Sequence, residues 1–238
     1  MNPSSPLPKL KTDLKARYPG IVGLKRKLLH FPLLFKNPKK IFSDIYRQNG
    51  WSCPESVSGG GSTLEYTQAI RQELPLLVGT LGVRSFLDLP CGDFHWMSRV
   101  QLGVQTYLGA DIVEELITAN NAQYSSASRR FIVLNILENP IPKVDLIFCR
   151  DCLVHLSFHH IRQALAKFKA SGSTYLATTT FTRQDANIDI PTGGHHAINL
   201  QLAPFHLPQP LRLINERSTE MNGQYPDKSL GVWRLTDL

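Results

Sequence analysis

From Ser85 onward the chain alternates between short apolar runs and segments of helical period. SFLDL (85–89), TYLGAD (106–111), RFIVLNI (130–136), VDLIFC (144–149) and TYLATTTF (174–181) are apolar enough for strands covered on both faces. Between them FHWMSRVQL (94–102), VEELITANNAQY (113–124) and SFHHIRQALAKFKA (157–170) predict helices. Strands alternating with helices indicate an α/β fold, with a doubly wound, mostly parallel sheet and right-handed crossovers. The last third changes character. LRLINERS (211–218) and LGVWRL (230–235) are strand candidates with no helix between them, which predicts an antiparallel pair at a sheet edge. Ahead of the sheet, IFSDIYRQNGW (41–51) predicts a short helix ending at Asn49-Gly50. Ser62-Thr-Leu-Glu65 has capping-box spacing and predicts a helix to about Leu81, with Leu64, Ala69, Leu76 and Leu77 facing inward and a kink at Pro75.

The 238 residues, 42% of them hydrophobic, suit one domain with a short extension. A formal charge of +7 would suggest a nucleic-acid partner if it were spread over the fold, but it is not. Residues 1–40 hold ten Lys/Arg against the single acid Asp13, which leaves 16 basic and 18 acidic residues in the body. The basic character therefore belongs to an arm. The arm has no 18-residue apolar run and no apolar segment directly after its start, so neither a membrane span nor a cleaved signal is expected. Leu24, Leu28, Phe31 and Phe35 recur at helical spacing beside lysines, which fits peripheral contact with an anionic membrane as well as a solvated tail. Nucleic-acid contact ranks below both.

Four scattered cysteines, Cys53, Cys91, Cys149 and Cys152, do not make a disulfide framework and favour a reducing, cytoplasmic setting. Cys149-Arg-Asp-Cys152 is formally a CxxC, but zinc would need a second pair of ligands, and Cys149 is read as a core thiol at a strand end. His155 and His159 share the i, i+4 spacing of metal ligands without a carboxylate at a defined distance, and no metal is expected.

In a doubly wound sheet the ligand lies beyond the carboxyl ends of the strands, at the switch point beside the first one. At those ends stand Asp88-Leu-Pro-Cys-Gly92-Asp-Phe, Gly109-Ala-Asp111, Asn135-Ile-Leu and Cys149-Arg-Asp151. Asp111 follows Gly92 by 19 residues, close to the roughly 20-residue spacing that places an acid on ribose hydroxyls. A carboxylate can accept from both hydroxyls of a cis-diol.

On FLDLPCGDF, YLGADI, FIVLNILENPIP and VDLIFCRDCLVHLS, in this order and spacing, the chain resembles the class I S-adenosylmethionine-dependent methyltransferases from about residue 45 to the end. The resemblance implies a Rossmann-like fold and S-adenosylmethionine as cofactor. It puts Asp88, Pro90, Cys91 and Gly92 in the loop under the methionine part, Asp111 with Ile112 at the ribose, and Asn135 with Ile136 near the adenine. Cys149, Arg150 and Asp151 follow strand four on the substrate side, and Asp93 and Trp96, just past Gly92, are candidates for cofactor contact. The glycine loop Ser58–Ser62, with Gly60 and Trp51, stands where relatives carry a lid, and Ser62 is read as the cap that turns backbone N–H groups toward the cofactor carboxylate. The expected organisation is a basic arm (1–40), N-terminal helices with the lid (41–84) and a catalytic domain (85–238).

Two departures are informative. Pro90 and Phe94 stand where the family's glycine pattern has its first and third glycines, leaving Gly92 alone. A dinucleotide needs several glycines because its pyrophosphate must approach the backbone, whereas S-adenosylmethionine has no phosphate, so the proline counts against NAD. If the acceptor is a hydroxyl, a base must take its proton. His155 is the first candidate and Asp151 the second, and His195-His196 lies in a Gly-rich loop that could border the acceptor pocket but is read first as a surface loop. The expected activity is methyl transfer to a hydroxyl of a sugar or other small molecule. The competing classes are an RNA methyltransferase clamped by the basic arm and a non-catalytic cofactor-binding protein.

Overall fold

A computed structural model describes residues 37–238, which form one compact unit. Residues 1–36, which carry most of the basic arm and its membrane-contact candidates, lie outside the described residues. Helix α1 spans Pro38–Arg47, with Asn37 as N-cap accepting from the Lys39 amide and Pro38 in the first turn, where its missing N–H costs nothing. Lys39 and Lys40, counted above with the arm, therefore belong to this helix.

Helix α2 spans Gln68–Leu81 and runs through Pro75. It does not begin at Ser62. Gly60–Ser62 form a 3-10 turn, the N-cap is Thr67, and no capping-box hydrogen bond forms. The face it buries is Ile70, Leu74, Leu77 and Val78, and Leu76 points outward at 65% exposure. A frame set by the false cap had turned Leu76 inward. At its C-terminus Gly82 adopts φ +64 and Val83 N–H reaches back to the Val78 carbonyl, a Schellman ending.

The strands are β1 (Ser85–Asp88), β2 (Thr106–Asp111), β3 (Arg129–Val133), β4 (Leu146–Cys149), β5 (Tyr175–Phe181), β6 (Arg212–Asn215) and β7 (Lys228–Arg234). They lie in the order β3-β2-β1-β4-β5-β7-β6, the first five parallel and β7 antiparallel to both β5 and β6. The doubly wound sheet with an antiparallel edge pair is as expected, and the order reverses between β1 and β4. Helices α3 (Glu114–Tyr124) and α4 (Phe158–Ala170) fill two crossovers, and a four-residue helix α5 (Glu220–Gly223) interrupts the β6–β7 connection. Alternate residues of the central strands divide between two cores. Leu87, Ile147 and Leu176 pack with Ile161, Ala164 and Phe168 of α4. Phe86, Leu146, Phe148 and Ala177 pack with the buried face of α2 and with Ile117 of α3.

The crossover from β1 to β2 departs from expectation. FHWMSRVQL forms only a 3-10 turn at Met97–Arg99. Phe94, Trp96 and Met97 are all buried, a spacing no single helical face provides. Phe94 itself sits at φ +57, the left-handed region a glycine would occupy. Such a backbone costs roughly 1–2 kcal/mol for an L-residue. Packing offsets it, with Tyr107, Tyr124 and Phe131 rings 5.0–5.3 Å away and the Arg129 guanidinium 5.1 Å above the ring.

Candidate functional site

The loop after β1 is fixed by its own amides. Leu89 N–H donates to the Phe148 carbonyl, Cys91 N–H to that of Ala110, Gly92 N–H to Asp111 Oδ2, Asp93 N–H to Ser58 Oγ and Phe94 N–H to the Cys91 carbonyl. Pro90 has none to give. Every amide from 89 to 94 thus has a protein acceptor, and no α-helix opens behind the loop. The two features that cradle a pyrophosphate, spare N–H groups and a helix N-terminus, are both missing from this loop. Gly92 is required twice over: its φ is +53, and a Cβ would stand 2.1 Å from Ser58 Oγ. Its carbonyl accepts from Asn120 of α3 at 2.8 Å. Asn120 has no motif around it, and its role is visible only once α3 is folded against the loop.

Asp111 closes β2 with both oxygens in use, Oδ2 by Gly92 N–H at 3.1 Å and Oδ1 by Val113 N–H at 2.9 Å, and each oxygen keeps a second lone pair for a hydroxyl. Burial pushes its carboxyl up to about 6, against those amides, which favour the charge. Asp88 at the end of β1 is also buried and is pushed up to about 7, although the Tyr107 hydroxyl that donates to it works in the opposite direction. Asn135 accepts at Oδ1 from Leu137 N–H and donates its own N–H to Asn139 Oδ1, which leaves the Nδ2 donors and one Oδ1 lone pair for a ligand. Donors of this kind suit the acceptor nitrogens of an adenine edge, and Ile112 and Ile136 supply apolar wall beside them.

The glycine loop lies over the first loop and is anchored by side chains from it. The Asp93 carboxylate accepts from Ser56 Oγ, Val57 N–H and Ser58 Oγ, so it binds the loop to Gly92. Arg150, just past β4, donates to the Gly61 carbonyl at 3.0 Å and forms a fork with Glu216. Ser62 sits in the 3-10 turn six residues before α2 opens, so it aims no helix N-terminus at a ligand. This corrects its reading as a cap.

One cavity of about 810 Å³ joins these groups to the end of β4. It is lined by every expected site residue except Cys149, which is fully buried in the core and whose thiol burial pushes well up. Arg150 is saturated by Glu216, Gly61 and Asp151 and lies 5.5 Å over the Trp96 ring, so it serves as a buried strut. Asp151, at φ +51, is bound by Lys228 at 2.7 Å and Arg150 at 3.1 Å, and these cations outweigh its burial and hold its carboxyl far below the ordinary range. A carboxylate so stabilised is a poor proton acceptor, which argues against its expected role as alternative base.

His155 is better placed. Its Nδ1 lies 2.7 Å from the Gly194 carbonyl, so Nδ1 carries the proton and Nε2 the lone pair. Burial holds the imidazole down to about 4, against that hydrogen bond. The ring is therefore neutral near pH 7, with an Nε2 that has no hydrogen-bond partner among the described residues. Trp51, 37% exposed, tilts against it at 5.5 Å, so it stands at the β4 end of the cavity beside the candidate base. His195, itself exposed, also lines the cavity, its ring centroid 5.5 Å from that of His155. Among the described residues no group of three or more potential metal ligands occurs, and no helix is long and apolar enough to cross a membrane.

No protein-family model matches the chain, and no curated protein matches it. Its fold does match solved structures. The N-methyltransferase NodS from Bradyrhizobium japonicum WM9, in complex with S-adenosyl-L-homocysteine, superposes with a TM-score of 0.58 at 14% identity, covering 81% of this chain and 97% of that one. Human N-acetylserotonin methyltransferase in complex with S-adenosylmethionine gives 0.52 at 14% identity, covering 84% of this chain and 60% of that one. The cyclase SpnF gives 0.51 at 15% identity, covering 70% and 81%. The chain thus has the class I methyltransferase fold, which also carries a cyclase, so the fold alone does not name the reaction.

Proposed function

We propose that this protein is an S-adenosylmethionine-dependent methyltransferase whose acceptor is a hydroxyl of a sugar or other small molecule. The observation that carries the reading is one cavity with two chemically distinct ends. One end offers a buried carboxylate on Asp111, amide donors on Asn135 and a loop after β1 with no amide left for phosphate. The other offers a neutral histidine with a bare Nε2. The first set fits an adenosine without phosphates better than a dinucleotide.

When bound there, S-adenosylmethionine supplies a methyl group activated by a positive sulfur. The chain's part is to align and to exclude water. Asp111 and Asn135 fix the nucleoside, the loop held by Asp93 and Arg150 covers it, and His155 Nε2 accepts the proton of the acceptor hydroxyl. A weak base suffices, because the hydroxyl becomes acidic only as its oxygen takes on the methyl group.

Incubation with S-adenosylmethionine and a panel of methyl glycosides and phenols, read by product mass, tests the proposal. Methylated product from the wild type, with kcat lowered about 10²–10⁴-fold in His155→Gln at unchanged cofactor affinity, is the expected result. Transfer that survives His155→Gln at full rate would remove the base from the account. Cofactor binding with no product from any acceptor would favour a protein that binds the cofactor without transferring its methyl group.

A further inference from the structure

We infer that His195 is the exit for the proton that His155 collects, passing it from the half-buried imidazole to solvent. The inference rests on the methyl-transfer reading above and concerns a step that reading leaves incomplete. Each methylation of a hydroxyl releases one proton: the oxygen gains a carbon bond, the O–H bond breaks, and the positive charge of the sulfonium leaves as H⁺. His155 Nε2 takes that proton, and it must give it up before the next turnover. A half-buried imidazole as weakly basic as this one passes it on readily, provided a partner stands within reach.

The groups facing His155 and His195 leave one such partner. Nδ1 of His155 is committed to the Gly194 carbonyl. Asp151 is locked between Arg150 and Lys228. Lys228 is itself buried and held charged by Asp151, Glu216 and Glu220. Trp51, which also lies against the ring, has no basic site. Tyr225 and His196 border His195 rather than His155, and His196 Nδ1 is taken by the Ile188 carbonyl. His195 remains. It is exposed, lines the same cavity, lies 5.5 Å from the His155 ring, and its own ring makes no hydrogen bond among the described residues. The 5.5 Å separates the ring centroids and leaves room for one water between the two imidazoles.

The backbone shows that this neighbourhood is fixed. Gly193 N–H donates to the His155 carbonyl at 2.8 Å and His196 N–H to the Val154 carbonyl at 3.0 Å, on either side of the His155–Gly194 bond. The residues flanking His195 are thus stitched to the segment that carries His155. Both histidines are held in place through the main chain, while the His195 ring stays free to take up and release a proton.

Two measurements on the full chain test the inference. In methyl transfer, His195→Ala should lower kcat about tenfold to a hundredfold with KM for the cofactor little changed, and added imidazole should restore the rate in proportion to its concentration. An unchanged kcat, or a loss that imidazole does not relieve, would overturn it. The second measurement needs no acceptor. Imidazole ¹⁵N resonances of His155 in the S-adenosylhomocysteine complex are followed from neutral pH towards about 4. With His195 present the signal should shift continuously in fast exchange, and in His195→Ala it should broaden or split as protonation slows. Identical behaviour in both proteins would overturn the relay even if methyl transfer stands. Failure of the complex to form in the wild type would instead strike the reading beneath it.

Discussion

At the scale of single residues the site is built from acids and bases displaced from their ordinary strengths by burial. Asp88 and Asp111 are raised, His155 is lowered, and Asp151 is held down by cations that overcome its burial. Asp88 makes the sign testable. Its carboxyl stands at about 7 in the folded protein against 3.8 ordinarily, so between those values the folded chain binds more proton than the unfolded one. Stability from this group is therefore full below about pH 4 and lost as pH rises through 7. Asp88→Asn keeps an acceptor for the Tyr107 hydroxyl and removes the charge. Its melting temperature should exceed that of the wild type above pH 7 and match it near pH 4, with a gain of up to about 4 kcal/mol. Equal curves at both pH values would show that Asp88 carries no buried charge. The two replacements that set the loop after β1 apart from a dinucleotide fingerprint, Pro90 and Phe94, also act at this scale, together with Asp93 between Gly92 and Phe94. Pro90 removes an amide, Asp93 spends its carboxylate on the lid, and Phe94 holds a glycine's backbone angle by packing its ring among aromatics.

Elements explain why those residues meet, and why only part of the site was legible in advance. Apolar runs long enough to be covered on both faces announce strands whatever their partners, so β1 to β5 and the residues at their carboxyl ends could be read directly. Asp111, Asn135, Gly92 and His155 were found that way. Ser62 was misread because a capping box is a local pattern, while the glycine loop is held by long-range bonds to Asp93 and Arg150. The predicted helix at 94–102 failed for a similar reason: its large residues are drawn individually into the core between α2 and the sheet. Asn120, Ser58, Glu216 and Lys228 carry no local signal, since each acts on a residue 28 to 77 positions away. Lid and loop are coupled at the contact between Gly92 and Ser58. Gly92→Ala should weaken S-adenosylhomocysteine binding at least about tenfold, from roughly 1–2 kcal/mol of left-handed strain plus displacement of the Ser58 hydroxyl. Adding Ser58→Ala should recover part of that loss, since it removes the hydroxyl but not the strain. If the double variant binds no better than Gly92→Ala, loop and lid are not coupled through this contact.

For the molecule as a whole, residues 37–238 form a compact α/β scaffold that brings four loop ends to one cavity at the point where strand order reverses. The scaffold is shared with methyltransferases and with a cyclase, so the choice of ligand rests on the loops. Loop amides without a vacancy, a ribose-ready carboxylate and an amide donor for a base edge all favour an adenosine that lacks phosphates. Calorimetric titration of the wild type and of Asp111→Ala with S-adenosylhomocysteine and with NADH tests this most directly. The account predicts S-adenosylhomocysteine binding to the wild type, a loss of about 1.5–3 kcal/mol on removing the charged acceptor in Asp111→Ala, and no saturable binding of NADH to either protein. Tight NADH binding, or S-adenosylhomocysteine affinity untouched by Asp111→Ala, would contradict it.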